Sequence, residues 1–259
     1  MRLPFAQYTT DMLGSCKKYP RNRQENYELK FISFDIFQTL VDVNERIPQI
    51  WQGILKDAYT PEKAAEGAGT VLGELPRVYG AAVLSDRFRT MEEVYLECAE
   101  AAAGKLSFRA SPRDIAYHLM AQHAQAPFYP EVPECLRRLS SQYKIVLSSD
   151  SNHLMVDGLL ERVPHDRAFI SDDLGCYKGS REGRFFRTVL RELNTAPEEV
   201  LHIGDSRSDI HGARQAGIAS CLVLRDGKSW SGACEADCPD YVISNLQEVE
   251  DILKGRKGP

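Results

Sequence analysis

The sequence predicts an α/β fold in which a mostly parallel β-sheet has helices on both faces and a helical unit is inserted after the first strand. From residue 127 onward, short apolar runs alternate with amphipathic segments, the pattern of β-α-β units. Residues 44–127 instead carry only helical periodicities. The short apolar run Phe31–Phe34, which precedes them, indicates a buried first strand.

The inserted helices are predicted from apolar residues that recur three and four positions apart. Between Ile47 and Ala58 this spacing gives one continuous apolar face. Thr60, Thr90 and Ser111 are each followed by a proline or by an acidic residue at the capping-box position, so each is expected to start a helix. Pro76 is expected to interrupt the helix that begins at Thr60, because proline lacks the backbone N–H that a helix interior needs.

The second half of the chain alternates strands and helices. We expect strands at Lys144–Ser148, Ala168–Ile170, Val200–Ile203, Cys221–Leu224 and Tyr241–Ile243. The intervening helices are expected over residues 133–141, 153–162 and 184–193, then from the fourth strand to about residue 216, with a closing helix over 246–253. We therefore predict a core of residues 30–43 and 128–259, a helical insert of residues 44–127, and an N-terminal extension of residues 1–29.

Composition excludes several classes of protein. The chain has 259 residues, 43% of them hydrophobic, and a net charge of −5, which offers no footprint for nucleic acid or an anionic membrane surface. No apolar run approaches the ~20 residues of a membrane span, and the first residues lack the apolar core of a signal peptide. Seven scattered cysteines argue against a disulfide framework, and Cys234 and Cys238 are expected to be two loop thiols. A cytoplasmic enzyme is the expectation.

Polar residues follow four of the predicted strands. Asp35 and Thr39 follow the first strand, Ser149 and Asp150 the next, Lys178 a third, and Asp205 and Asp209 a fourth. In open α/β sheets, ligands bind at the carboxyl ends of the strands, so these side chains are expected to converge. Taken singly, each has an ordinary explanation. Asp35 could be a turn residue, Asp205, Asp209 and Ser149 could cap helices, and Lys178 could be a surface lysine.

The order Asp35…Thr39, Ser149, Lys178 and Gly204-Asp205-x-x-x-Asp209 resembles the haloacid dehalogenase superfamily, most members of which are phosphatases. The resemblance covers the chain from Phe31 to the C-terminus. It implies a Rossmann-like, doubly wound core and identifies the helical insert as a cap that closes over the active site.

The resemblance also implies a role for each of these residues. Asp35 would be the nucleophile that forms an aspartyl-phosphate, and Lys178 would hold both nucleophile and phosphate. Thr39 and Ser149 would contact the phosphoryl oxygens. Mg²⁺ would be held by Asp35, Asp205, Asp209 and the backbone carbonyl of Phe37, in keeping with the preference of Mg²⁺ for oxygen ligands.

The sequence departs from the phosphatase pattern at three positions. Phosphatases of this superfamily usually carry a second Asp two residues after the nucleophile, which protonates the leaving group; here that residue is Phe37. Haloacid dehalogenases have an aromatic residue there and need no metal, but they do not normally keep the acidic pair seen as Asp205 and Asp209. Asp150 and Gln38 replace the more usual Asn and Gly, and either could contribute a polar group to the substrate pocket.

These observations predict a Mg²⁺-dependent phosphatase of a small phosphorylated metabolite, with no nucleic-acid or membrane partner, acting as a monomer or homodimer. Two alternatives stay open. One is a carbon-centred hydrolase, either a 2-haloacid dehalogenase or an enzyme like phosphonoacetaldehyde hydrolase, for which Lys56, Lys63 and Lys105 are cap lysines. The other is a catalytically weak protein that binds a phosphorylated ligand.

Overall fold

The computed structural model describes residues 28–225 and 238–256, which form six strands and ten α-helices. The strands make one parallel sheet of order β3-β2-β1-β4-β5-β6. They are β1 Phe31–Phe34, β2 Lys144–Ser149, β3 Arg167–Ile170, β4 Val200–Gly204, β5 Ala219–Val223 and β6 Tyr241–Ile243. The chain leaves β1 in one direction and returns to its other side at β4, which is the doubly wound arrangement. The predicted fold class is confirmed.

The strand register determines which residues meet at the carboxyl edge of the sheet. Phe34, the last residue of β1, is paired with Ile203 of β4 and with Leu147 of β2. The next residue, Asp35, donates its backbone N–H to the Ile203 carbonyl at 2.8 Å. Asp35 therefore emerges between β1 and β4, where the strand order reverses and such folds form their ligand crevice.

Helices cover both faces of the sheet. Along the chain they are α5 Val132–Leu139, α6 His153–Leu160, α7 Ser171–Leu174, α8 Arg184–Leu193, α9 Arg207–Gln215 and α10 Val249–Arg256. One buried cluster joins strand residues such as Ile145 and Leu201 to α5, α6 and α10. A second cluster joins Val146 and Val200 to α8 and α9. Because side chains alternate along a strand, these two clusters lie on opposite faces.

Four helices lie between β1 and β2 in the chain: α1 Ile47–Leu55, α2 Pro61–Leu84, α3 Met91–Ala103 and α4 Pro112–His123. We call them the helical cap. The predicted helix starts at Thr60, Thr90 and Ser111 are confirmed, since each side chain accepts a backbone N–H of the first turn. The two connections to the sheet run side by side, where the Asp42 N–H donates to the Pro127 carbonyl at 2.9 Å. The proposed division at residues 44 and 127 stays a prediction.

The predicted interruption at Pro76 is wrong. Helix α2 continues through Pro76 for 24 residues in all and ends at Leu84. An interior proline costs a helix about 3 kcal/mol. Tertiary packing offsets this cost, because buried residues on both sides of Pro76, from Ala64 to Ala82, pack in the core shared with α1 and α3. As a result, the last two turns of α2 reach the edge of the sheet.

Some expectations concern residues outside the described ranges. The N-terminal extension, apart from residues 28 and 29, and Cys234 are among them. Cys238 is disulfide-bonded, so the expectation of a free loop thiol is wrong at that position. Within residues 28–225 and 238–256, no helix has the length and apolar character needed to cross a membrane.

Candidate active site

Lys178 links the carboxylate that follows β1 to a carboxylate in the first turn of α9. It follows α7 in a loop, and its Nζ donates to Asp35 Oδ1 at 2.6 Å and to Asp209 Oδ1 at 2.5 Å. All three side chains are buried, with 3% of the lysine side chain and none of the Asp209 side chain exposed. Charge-assisted hydrogen bonds of this length are among the stronger ones in proteins. The interpretation of Lys178 as an ordinary surface lysine is excluded.

Thr39 holds the other oxygen of Asp35. Its Oγ1 donates to Asp35 Oδ2 at 3.0 Å, and both residues are buried. The chain turns back between them, with the Leu40 N–H bonded to the Ile36 carbonyl and Gln38 at a φ of +61°. Because of this turn, the Thr39 hydroxyl lies next to the Asp35 carboxylate.

The two carboxylate oxygens of Asp209 make different contacts, one that caps α9 and one within the site. Its Oδ2 accepts the Ser206 backbone N–H at 3.1 Å and closes a capping box at the start of α9. Its Oδ1 faces the site and accepts from Lys178. The helix-capping interpretation and the functional interpretation are therefore both correct for this residue.

A buried hydrogen-bond chain supports Asp209 from behind. His202 Nε2 lies 2.9 Å from Asp209 Oδ1, and its Nδ1 lies 2.9 Å from Ser33 Oγ, which is itself 2.9 Å from Ser148 Oγ. A carboxylate only accepts, so Nε2 carries the proton that faces Asp209. Burial lowers the pKa of His202. His202 lies within β4, and its hydrogen-bond partner is a carboxylate of the site.

Burial and charge act in opposite directions on the three central groups. Burial raises the pKa of Asp35 to about 7, although the charge of Lys178 opposes this. Burial would raise the pKa of Asp209 too, but Lys178 and His202 hold it below its usual range. Burial disfavours the charged form of Lys178, but the three carboxylates Asp209, Asp35 and Asp150 keep its pKa above normal. The single positive charge of Lys178 is thus shared among several carboxylates. A further cation beside Asp35 would lower its pKa and favour its ionised form.

Three carboxylates are placed to hold that cation. Oxygens of Asp35, Asp205 and Asp209 all lie within 4.8 Å of one another. Gly204 leaves the necessary room, because a Cβ there would lie 2.2 Å from the Asp209 carboxyl carbon. A small, hard divalent ion that prefers oxygen, such as Mg²⁺, fits this donor set. A role for the Phe37 backbone carbonyl as a further ligand stays a prediction.

Ser149 presents an unused donor at the end of β2. Its Oγ is buried and has no hydrogen-bond partner among the described residues. Buried hydroxyls in proteins are nearly always satisfied, so this hydroxyl at a strand end is available for a hydrogen bond to a ligand. This placement agrees with the predicted contact to a phosphoryl oxygen, without testing it.

The two other predicted pocket residues are engaged by the protein itself. Asp150 Oδ1 accepts the Lys178 backbone N–H at 2.8 Å, and its Oδ2 accepts from the Tyr79 hydroxyl. Gln38 Oε1 accepts from the Val43 N–H at 3.3 Å and from the Tyr129 hydroxyl at 3.2 Å. Both oxygens of Asp150 and the side-chain oxygen of Gln38 thus accept hydrogen bonds within the protein, and the predicted substrate contacts of these two residues stay predictions.

Phe37 offers no proton, and neither does its neighbour in the cap. The Phe37 ring packs edge-on against His123, with centroids 4.8 Å apart. The His123 Nδ1–H donates to the Leu119 carbonyl, and Nε2 faces the Tyr95 hydroxyl at 3.3 Å. Burial lowers the pKa of His123 to about 4, which keeps the ring neutral near pH 7. The geometry thus agrees with a site that lacks the usual acid next to the nucleophile.

Sequence reasoning missed Tyr79, a cap residue at the edge of the site. A helix that ends at Pro76 stops before Tyr79, so the sequence does not predict that Tyr79 lies beside Asp150. Its hydrogen bonds to Asp150 and Ser208 depend on contacts between residues distant in sequence. No local pattern could have indicated them.

Comparisons with known proteins place the chain in a family. A family model described as haloacid dehalogenase-like hydrolase matches residues 29–217. A phosphoglycolate phosphatase from Aliivibrio fischeri is 27% identical over 231 residues, covering 87% of this chain and 97% of that protein. The HAD-hydrolase YfnB from Bacillus subtilis, solved bound to magnesium, aligns over 88% of this chain and all of its own, with a TM-score of 0.72 at 18% identity.

A likeness of fold extends to enzymes that act on carbon. The L-2-haloacid dehalogenase from Xanthobacter autotrophicus aligns over 88% of this chain and 99% of its own, with a TM-score of 0.69 at 18% identity. At that identity the likeness establishes the fold alone. The match of the family model over most of the chain, together with the doubly wound sheet and the site at its reversal point, shows that this protein is a hydrolase of the haloacid dehalogenase-like family.

Proposed function

We propose that the protein is a Mg²⁺-dependent phosphatase of a small phosphorylated molecule. The observation that carries this proposal is the acidic cluster of Asp35, Asp205 and Asp209 around one buried lysine. A carbon-centred reaction needs only one nucleophilic carboxylate, whereas phosphoryl transfer depends on neutralising the charge of the transferred group. The sequence similarity to phosphoglycolate phosphatases supports the same choice.

In the proposed first step, an Asp35 oxygen attacks phosphorus. A bond forms between that oxygen and phosphorus, the bond from phosphorus to the leaving oxygen breaks, and the leaving oxygen takes a proton from solvent or substrate. In the second step, water attacks phosphorus, the aspartyl oxygen leaves as a carboxylate, and inorganic phosphate is released. Lys178 and Ser149 bind the phosphoryl oxygens, and Thr39 orients Asp35 through its 3.0 Å hydrogen bond.

A bound Mg²⁺ ion would neutralise charge on Asp35 and on the phosphoryl group. Asp35, Asp205 and Asp209 are the residues that would hold it. Among the described residues, no acid or base lies at the position expected for proton transfer, since Phe37 occupies it and packs on neutral His123. We therefore propose that substrates with good leaving groups turn over best.

Hydrolysis of p-nitrophenyl phosphate and acetyl phosphate tests the proposal. Activity should require Mg²⁺, disappear with chelator, and fall to background in Asp35→Asn. Asp173→Asn is the matched control, because Asp173 is an exposed carboxylate. Activity that persists in chelator, or that survives in Asp35→Asn, would overturn the assignment.

A carbon-centred hydrolase is the second candidate, favoured by the aromatic residue at Phe37. Activity on 2-haloacids that is unaffected by chelator would establish it. The phosphonoacetaldehyde hydrolase-like alternative needs a cap lysine in the site. Here the Lys63 Nζ donates to the Ala58 carbonyl, Lys105 pairs with Glu74 on the cap surface, and Lys56 is exposed, so the structure offers no support for it.

A protein that binds phosphorylated ligands without turnover is the third candidate. It would bind Mg²⁺ and inorganic phosphate in calorimetry and hydrolyse neither test substrate. A monomer or homodimer in the cytoplasm stays our proposal for its assembly and location.

A further inference from the structure

The backbone of Lys178 is held tightly, and this determines where its ammonium group lies. Its carbonyl lies against α9, where a Cβ on Gly212 would come within 2.0 Å of the Lys178 oxygen. The next residue, Gly179, packs closely between α9 of the core and α2 of the cap. A Cβ there would lie 2.9 Å from Ser208 Oγ and 3.5 Å from a methyl group of Val83 in α2. The lysine loop is thus packed between α9 and the cap.

Asp150 connects the lysine loop to the cap through its two oxygens. Oδ1 accepts the Lys178 backbone N–H at 2.8 Å. Oδ2 accepts the hydroxyl of Tyr79, which lies in the last turns of α2. The Tyr79 oxygen is also 3.3 Å from Ser208 Oγ, one residue before Asp209. One carboxylate therefore joins the cap hydroxyl to the backbone of the catalytic lysine.

The residue before Lys178 is held by the cap as well. The Tyr177 hydroxyl donates to the Arg89 carbonyl, just before α3, at 2.5 Å. Its buried ring packs on Tyr79 and Phe88, with centroids 5.1 Å away in both cases. The cap thus contacts the lysine loop from two sides.

We propose that Tyr79, acting through Asp150, positions Lys178 so that its ammonium group reaches both Asp35 and Asp209. Asp150 is on this view a positioning residue that does not touch the phosphoryl group. Its carboxylate would repel a phosphoryl dianion, and its two oxygens are already used by Lys178 and Tyr79.

This inference rests on the proposed function for its kinetic readout only. Tyr79→Phe removes the hydroxyl and keeps the ring that packs on Tyr177. Tyr117→Phe is the matched control, because Tyr117 is a half-exposed cap tyrosine on α4. We expect Tyr79→Phe to lower kcat for p-nitrophenyl phosphate about 10-fold to 100-fold, with KM changed by less than about 3-fold, since a misplaced catalytic group raises the barrier more than it weakens binding.

Hydrogen exchange gives a second readout that does not depend on turnover. In Tyr79→Phe, peptides that contain Lys178 should exchange about 10-fold faster than in the wild type or Tyr117→Phe. The kcat of the double variant Tyr79→Phe/Asp150→Ala should be no lower than that of Asp150→Ala alone, because both substitutions break the same connection. If Asp150→Ala does not fold, Tyr79→Phe alone decides.

The possible outcomes separate the two proposals. Wild-type protein without phosphatase activity refutes the proposed function, while exchange still tests the positioning role. Exchange around Lys178 that is the same in Tyr79→Phe and Tyr117→Phe overturns the inference. Losses of kcat that multiply in the double variant also overturn it, since they would show that Tyr79 and Asp150 act separately.

Discussion

Restoring an acid at position 37 is the sharpest test of how this site works. In Phe37→Asp, a carboxyl group would stand two residues after the nucleophile, where proton transfer to the leaving oxygen is expected from the resemblance to phosphatases. General acid–base help contributes about 10²–10⁴ in rate. Because the new group would not be optimally supported, we expect the lower end, about 10²-fold, for an alkyl phosphate, whose leaving group must be protonated.

The substitution also has a structural cost that has to be separated from the chemistry. The Phe37 ring is half-buried and packs on His123 at 4.8 Å. Losing that ring and its aromatic contact should destabilise the protein by about 2 kcal/mol. Phe37→Asn is the matched control, because it loses the same packing and has the shape of Asp but no proton to transfer.

The assay compares an alkyl phosphate with p-nitrophenyl phosphate in wild type, Phe37→Asp and Phe37→Asn, all with Mg²⁺. The ratio of the two rates should rise in Phe37→Asp and stay near the wild-type value in Phe37→Asn. An unchanged ratio in Phe37→Asp, with the protein folded by circular dichroism, would refute the reasoning that this missing group limits turnover.

Three further predictions concern other parts of the site. Gly204→Ala should abolish the Mg²⁺-induced rise in melting temperature, because its Cβ would displace the Asp209 carboxyl group; an intact shift would contradict the metal site. Ser149→Ala should raise KM about 10-fold with little loss of stability, because the hydroxyl has no partner to lose; an unchanged KM with a lower melting temperature would indicate a structural role. Burial lowers the pKa of His123 from the usual 6.5 to about 4. As pH falls, His123 therefore takes up a proton in the unfolded chain before it does so in the folded protein. The free energy of unfolding should then drop by about 2 kcal/mol between pH 7.5 and 5. His123→Asn should lose that part of the pH dependence in urea unfolding, and an equal slope in both proteins would show that another group is responsible.

The sheet could be predicted because its signals are local. Runs such as Lys144–Ser149 are short, apolar and bounded by polar residues, and their alternation with helical patterns predicts parallel pairing. In a doubly wound sheet, residues that follow the strands beside the reversal of strand order lie around one crevice. For this reason Asp35, Lys178 and Asp209 could be placed together from their order in the chain alone.

The contacts that hold the site residues in place could not be predicted in the same way. His202 shows in sequence only as a polar residue within a strand, and its bond to Asp209 depends on the turn at the start of α9. Pro76 predicted a helix end by its intrinsic cost, and packing of α2 on the neighbouring helices outweighed that cost. Asp150 looked like a pocket residue, because its partners Tyr79 and the Lys178 N–H are distant in sequence.

The sequence alone determined the class of fold, the functional residues that follow successive strands, and the lack of an acid at position 37. These features depend on residue type and on the local spacing of apolar residues. Only the tertiary structure decided what holds those residues in place. It brought the end of α2 over the lysine loop, gave each oxygen of Asp150 and Asp209 its own partner, and left the Ser149 hydroxyl without one. Such contacts join residues far apart in the chain, and their energies come from packing and burial that no local pattern records.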